Sequence, residues 1–542
     1  MTMTSQEKAK PIKIGDIGTA CEVLCPLTPA DLPPLAGEEP EEAFKAVKTG
    51  VREKYDYSLD GFSGLNLPVP QSREEEDAIV RSFLRGLEKL FSRENNWGFL
   101  QPTTLSTEYC MQCNTCNDAC PIYLESGRQD IYRPNYRSEV LRRIRRRYFT
   151  PAGRLLGKWA GADVELNWRV VYRLAELAYR CSLCRRCASV CPVGVDNALL
   201  ARELRKVFSQ EMGIAPEAIH KAGTVQHLKT GSTTGMMPPA FRDTIEFIED
   251  LIEERTGRRI TIPVDKKNAD ILLIHNAGEY LAWPENPAAF AILFDAAGIN
   301  WTLSSEAMGY EGVNYGVWYD DIQFARIIAA QVKAAKNLGA GKIVVGECGH
   351  AAKGLLCIAD RLLTGDLSIL RESCLPLLES IVTGGAIKFD PSRNDFPVTL
   401  HDPCNIVRLL GIVSPQRNIL SKILPSGRFR EMPQAGIENY CCGGGSGFAI
   451  MNSQNFPEWR NQVAGRRKAR QVLETFADCL DPAIPKYYCA PCSNCKGSAR
   501  DILQQHYGFK EKYNIHYGGL VELIVNAMPG LPQPYISWDE EF

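Results

Sequence analysis

Residues 110–121 read CMQCNTCNDACP, and residues 181–192 read CSLCRRCASVCP, the same spacing a second time. Three thiolates this close in sequence can grip three corners of one 4Fe–4S cubane. The fourth, set by the proline that follows, points to the other cluster. The spacing therefore assigns Cys110, Cys113, Cys116 and Cys191 to one cluster, and Cys181, Cys184, Cys187 and Cys120 to the other. A zinc site or buried free thiols are the alternatives. Neither needs two full copies of a four-cysteine run.

Outward from these runs the pattern is helical. Residues 100–210 carry eight cysteines among helical periodicities and little strand signal, which predicts an all-helical cluster domain. Between the runs lies a basic stretch, Arg133, Arg137, Arg142, Arg143, Arg145, Arg146 and Arg147. It reads either as a solvated helix face or as a docking surface for an acidic partner or an anionic membrane. Upstream, residues 1–99 form an arm rich in Pro, Gly and Glu, followed by one helix. Ser72 and Glu75 make a capping box there, and Ile79, Val80, Phe83, Leu84, Leu87, Leu90 and Phe91 recur at helical spacing.

Downstream, residues 211–267 read as a polar linker, with Thr230 to Met237 its most mobile-looking part. From residue 268 short apolar runs alternate with helices. Asp270–His275, Asn300–Leu303 and Lys342–Gly346 read as buried strands, and Ile322 to Ala335 as a helix between them. The pattern recurs with Val398–His401, Arg428–Met432 and a helix near Trp459–Ala477. The expected fold class is therefore a mixed all-α and α/β multidomain protein. A helical domain with two 4Fe–4S clusters precedes two related α/β lobes, 268–390 and 391–542.

Bulk properties bound the function. The 542 residues exceed what one core supports, so two to four domains are expected. Net charge is −2, which gives no field for nucleic acid. Met1 to Lys13 is polar and no long apolar run occurs, so neither a secretory signal nor a membrane span is expected. Twenty cysteines in a chain of this length point to metal-bound thiolates in a reducing compartment, not to a secreted disulfide framework.

A second cysteine constellation lies in the last lobe. His401-Asp402-Pro403-Cys404 ends one expected strand, Cys441-Cys442-Gly443-Gly444 follows, and Cys492-Ser493-Asn494-Cys495 comes last, with Cys489 just upstream. Five thiolates from three loops can converge where parallel strands end. Gly443 and Gly444 allow unusual φ and close backbone approach. A structural zinc needs only four ligands, and a vicinal disulfide is strained. A thioredoxin-like pair at Cys492 and Cys495 would leave Cys441 and Cys442 without a role.

Cys404, the Cys441-Cys442-Gly443 motif and Cys492-x2-Cys495 resemble the CCG domain of heterodisulfide reductases, and residues 100–510 resemble its fused HdrD type. Tyr132 to Glu139 and Glu347-Cys348-Gly349-His350 are most similar to the DsrK branch, cytoplasmic subunits of the Dsr membrane complexes of sulfur-metabolising prokaryotes. The gap before the last motif is longer than usual, which leaves Cys489 as an alternative to Cys492. The resemblance implies a catalytic noncubane 4Fe–4S cluster on Cys404, Cys441, Cys442, Cys492 and Cys495, beside the two cubanes, three clusters in all. His401 would orient Cys404 or donate a proton. The first lobe reads as a copy with its ligands lost: His275 to Gly278 stand for His401 to Cys404, Tyr310 to Gly312 for the vicinal cysteines, and Cys348 to Ala351 for the last motif. Cys348 and His350 then either line the pocket or serve as packing or ligand-supporting groups. Cys21, Cys25, Cys357, Cys374 and Cys479 are read as unassigned, packed thiols.

The implied function is an iron–sulfur oxidoreductase on the cytoplasmic face of a membrane, held there by partner subunits. A cytochrome b-type quinol-oxidising subunit, DsrM-like, would supply electrons, with other Dsr subunits nearby. The two cubanes would pass them to the noncubane cluster, which would cleave an S–S bond by one-electron steps. The small protein DsrC, as its trisulfide, would be the substrate. The alternatives are an electron-transfer subunit of a flavin-dependent lactate, glycolate or glycerol-3-phosphate dehydrogenase, and a reductase of a small-molecule heterodisulfide.

Overall fold

In the computed structural model the described residues are 12–19, 27, 31, 32, 35, 58, 59, 61, 62, 64–362, 365–451, 456 and 458–538. Most of the expected N-terminal arm, with Cys21 and Cys25, lies outside them. The chain divides into two compact units. One holds residues 1–219, 318–320 and 443–470; the other holds 220–317, 321–442 and 471–542.

The first unit is helical. Helix α1 (Arg73–Leu90) begins where Ser72 accepts the N–H of Glu75. The Glu75 carboxylate reaches Gln71 N at 2.6 Å, one residue ahead of the expected box partner. Phe83, Gly86, Leu87 and Leu90 face inward. Three further helices matter: α2 (Pro134–Phe149), α3 (Trp168–Tyr179) and α4 (Asn197–Met212). Phe83 stacks on Phe208 of α4 with ring centroids 5.4 Å apart. Beside that stack α1 and α4 approach so closely that a Cβ on Gly86 would meet Val207 at 2.5 Å, so glycine is required there. Asp196 caps α4 by accepting from Ala198 N and Leu199 N, and Gly213 ends it in the left-handed region.

The second unit holds two four-stranded parallel sheets of the same strand order. The first runs β2 (Trp301–Thr302), β1 (Ile271–Ile274), β3 (Lys342–Val345), β4 (Leu370–Ser373). The second runs β6 (Phe429–Arg430), β5 (Val398–Leu400), β7 (Lys486–Cys489), β8 (Ile515–Gly518). Ile271 pairs with Lys342 in the first, and Val398 with Tyr487 in the second. The fold class is thus a helical 4Fe–4S region followed by two parallel α/β lobes. The expected helix over 322–335 is present as Asp321–Leu338.

Two regions differ from the expectation. Residues 211–267 are not a plain connector: α5 (Pro238–Thr256) occupies much of them, with Phe241, Ile245, Ile248 and Ile252 buried. Those four recur at helical spacing and pack against α7 (Glu285–Ala296), which follows the short helix α6 (Ala277–Ala282). Strands β4, β7 and β8 were not anticipated.

The strand-to-helix turns of the two lobes match. After β3, Cys348 N donates to Gly346 O at 2.7 Å before α8 (Gly349–Lys353); after β7, Cys492 N donates to Ala490 O at 2.6 Å before α9 (Ser493–Ser498). Both helices run on into π-helical segments, Gly354–Ile358 and Ala499–His506. Among the described residues no helix is long and apolar enough to cross a membrane.

Candidate metal centres

In the helical unit the two cysteine runs wind alike. Gln112 and Asn114 in the first, and Leu183 and Arg185 in the second, all hold positive φ. These non-glycine residues sit at matching offsets from Cys110 and Cys181. Alternating hand turns successive N–H groups toward the enclosed space, a cradle for an electron-rich group. Leu183 N points at Cys181 Sγ at 3.4 Å, and Val195 N at Cys191 Sγ at 3.3 Å.

The sulfurs group across the runs. Cys110, Cys113, Cys116 and Cys191 line one cavity, with Asn135 and Pro192. Cys120, Cys181, Cys184 and Cys187 line another, with Arg137 and Arg180. Burial pushes the thiols of Cys116 and Cys120 up to about 12. A desolvated thiolate needs compensating positive charge, which iron supplies. Four sulfurs gathered around each small cavity fit a 4Fe–4S cluster.

The arginine stretch lies on α2 and is largely paired internally. Arg142 and Arg143 both bind Glu139, Arg143 also reaches Asp163, Arg145 binds Glu108, and Arg133 meets Asp130 at 3.4 Å. Arg137 is buried. The helix therefore offers less free positive charge than its composition suggests.

In the α/β unit the cysteine loops meet at the carboxyl ends of β5 and β7. Donor atoms of His401, Cys442 and Cys495 lie within 4.8 Å of one another. Cys492 contacts Cys495, and also Cys348 and His350 of the first lobe. Those contacts, with Cys348 first, draw the Cys492 thiol well below its usual value against the opposing effect of burial. Cys404, Cys441, Cys442, Cys492 and Cys495 are all buried. Gly443 takes a φ of 92°, open only to glycine. Cys489 sits inside β7 and packs into the hydrophobic core, so Cys492 and not Cys489 reaches the site.

Supporting contacts fix the loops. His401 N donates to Cys489 O at 2.8 Å, and the imidazole stacks on Tyr488. The buried Asp402 carboxylate accepts Arg417 at 2.7 and 2.9 Å and Gly436 N at 2.6 Å. Asn439 spans Asp402 O at 3.1 Å and His401 Nδ1 at 3.5 Å.

Cys348 and His350 do more than fill space. Gly349 N donates to Cys492 Sγ at 3.4 Å. Asn494 Nδ2 lies 3.2 Å from His350 Nδ1 and 3.9 Å from Cys348 Sγ. The exchange is reciprocal: each lobe's cysteine is met by the other lobe's residue two places on. A Cβ at Gly349 would stand 3.4 Å from Pro403, Asn405 and Ile406, so the Cys348 turn lies on the Cys404 loop. The sequence leaves pocket lining and packing both open for Cys348 and His350; their equivalence to Cys492 and Asn494 is the signal, and both stand at the centre.

A dicluster helical domain joined to a cysteine-rich α/β lobe defines an iron–sulfur oxidoreductase of heterodisulfide-reductase type. Residues 106–195 match the 4Fe-4S dicluster domain family, and residues 398–498 match the Cysteine-rich domain family. The chain is 31% identical to the Hdr-like menaquinol oxidoreductase iron-sulfur subunit 2 of Archaeoglobus fulgidus, over 78% of this chain and 80% of that one. It is 26% identical to one subunit of the dihydromethanophenazine:CoB–CoM heterodisulfide reductase of Methanosarcina acetivorans, over 70% of this chain and 87% of that one. No solved structure matches. The chain belongs to the family of Hdr-like menaquinol oxidoreductase iron–sulfur subunits.

Proposed function

We propose that this chain is the S–S-reducing subunit of a membrane-associated quinol-oxidising complex, of the DsrK branch. The crossed cysteine sets of the helical domain would hold two cubanes, and Cys404, Cys441, Cys442, Cys492 and Cys495 would hold a noncubane cluster; together these would supply one-electron transfer from a cytochrome b-type partner. When bound, that cluster supplies single electrons next to a sulfur substrate. The trisulfide of DsrC is the proposed substrate, with sulfide and DsrC thiols as products.

The observation that carries this reading is the convergence of Cys442, Cys492 and Cys495 with His401, and with Cys348 and His350, in one buried place. The chain's own residues do three things there. Gly349 N–H and the Cys348 side chain stabilise negative charge on Cys492. The Asp402–Arg417 pair and Asn439 hold His401 and Cys404 in place. Tyr488 and the surrounding core exclude water, so charge on sulfur is stabilised by fixed donors.

The test is sulfide release from DsrC trisulfide by the purified, reduced protein, together with iron analysis. Release and about 12 irons per chain support the reading. About eight irons, or electron transfer to a flavoprotein without sulfide, favour the flavin-linked alternative.

A further inference from the structure

Behind the cysteine centre lies a group of charged side chains that ligand binding does not call for. Glu279, Glu347, Lys496 and Glu522 are each at most 3% exposed. Lys496 Nζ stands 2.9 Å from Glu279 and 3.9 Å from Glu522. Asn286 Nδ2 bridges Glu522 at 2.9 Å and Glu347 at 3.1 Å. Glu347 also accepts Leu520 N at 2.8 Å and Val521 N at 3.1 Å. Three acids around one lysine in a protein interior are costly, because each ion gives up its hydration.

The group connects two places. On one side Glu285 and Glu522 line a cavity of about 380 Å³, together with Trp283, Arg500, His516 and Tyr517. Glu285 Oε2 and Glu522 Oε2 have no hydrogen-bond partner among the described residues. On the other side a line of hydroxyls leads to sulfur. Tyr310 Oη lies 3.4 Å from Glu279 Oε2 and 3.0 Å from Ser493 Oγ, and Ser493 contacts Cys348, which contacts Cys492.

We propose that Glu279 delivers protons through Tyr310 and Ser493 to the sulfur centre. The inference rests on the S–S reduction proposed above. Each S–S bond cleaved takes two electrons and two protons, so reducing the trisulfide to two thiols and sulfide takes four of each. The electrons come from the quinol-oxidising partner, and the protons come from solvent by this path. In each passage Glu279 gives its proton to the Tyr310 oxygen, Tyr310 gives its own to Ser493, Ser493 gives its own to Cys348, and Cys348 passes its own to the sulfur it faces in the centre.

The first lobe contributes Glu279, Glu285, Tyr310 and Glu347. It has lost cluster ligands and kept a proton supply. Burial favours the protonated form of these carboxyls. Burial raises Glu279, takes Glu285 to about 7, and with Glu522 nearby takes Glu347 to about 8. Lys496 stays charged, since its acids outweigh the effect of burial. It serves as a fixed positive bridge.

The test uses the cluster-loaded chain with dithionite as donor and DsrC trisulfide as acceptor. Tyr310→Phe keeps the ring and removes the hydroxyl. It should cut turnover about a hundredfold, while iron content and the paramagnetic resonance of the oxidised and reduced clusters stay as in the parent. The residual rate should show an enlarged solvent deuterium isotope effect. Ser493→Ala repeats the test one step nearer to sulfur, should Tyr310→Phe not fold. Unchanged turnover in either folded variant overturns the path. A second readout needs no substrate: infrared difference spectra of reduced minus oxidised protein should show a carboxylic acid band that Glu279→Gln removes. A spectrum in which Glu279→Gln removes no band overturns the role of Glu279. If the parent releases no sulfide, the proposed function fails, and the infrared bands alone decide the relay.

Discussion

The two α/β lobes share a strand order and a turn, and they differ in what stands at the turn. The second lobe places Cys404, Cys442, Cys492 and Cys495 at its strand ends. The first has Gly278, Cys348 and Ala351 at the matching positions of the outer loops. A matching contrast runs one residue after each strand-end histidine. In the first lobe Asn276 is neutral and caps α6 by accepting Gly278 N at 2.8 Å. In the second, Asp402 is charged, buried, and satisfied by Arg417. Ligand binding is thus separable from the scaffold. The lobe without ligands keeps the geometry, faces Cys492 with Cys348 and His350, and brings buried acids.

The sharpest test of this division is to remove a ligand from the second lobe. Cys442→Ser should abolish S–S cleavage and leave both cubane resonances intact. Iron should fall from about 12 to about eight per chain. Full activity in that variant breaks the assignment. Next in size, Arg417→Ala strands the Asp402 carboxylate and should cost roughly 3 kcal/mol. It is read as a lower unfolding midpoint together with weaker retention of the cluster in the second lobe.

A smaller effect concerns the acids of the first lobe. Glu285 titrates at about 7 in the fold against an ordinary 4.5, because burial favours the neutral form. Between these values the unfolded chain has released the proton and the folded one still holds it. Stability therefore falls as pH rises from about 4.5 to about 7, by roughly 3 kcal/mol at most. Glu285→Gln should flatten that slope and raise the unfolding midpoint above neutrality, measured across the same pH range. Smallest of all, Asn276→Ala removes a helix cap and a 3.3 Å hydrogen bond to Ser493 Oγ and should cost about 1 kcal/mol. Its effect on iron content should be nil, in contrast with Arg417→Ala.

Much of this was legible because covalent spacing carries it. The two four-cysteine runs and the vicinal pair announce themselves in sequence, since a cluster dictates the interval between its sulfurs. Strands such as Ile271–Ile274 and Val398–Leu400 were readable as apolar runs with buried faces on both sides. Strands β4 and β8 were not, because they are edge strands with polar, half-exposed residues such as Arg371, Glu372 and His516. Helix α5 was obscured by the Gly, Ser and Thr of residues 230–237, although Phe241, Ile245, Ile248 and Ile252 carried its period. The acid–lysine group was illegible for another reason. Glu279, Glu347, Lys496 and Glu522 come from four separate segments, and only folding makes neighbours of them.

The π-helical segments behind Cys348 and Cys492 bear on how this molecule can change. Each adds a wider turn at the same point of its lobe, directly downstream of the helix that presents the cysteine. Deleting one residue from either would rotate that helix by about 100° relative to the chain beyond it and swing a sulfur out of the shared centre. Such a loss leaves every cysteine in the sequence, so counting motifs across relatives would miss it, and the length of this stretch becomes as telling as the cysteines themselves.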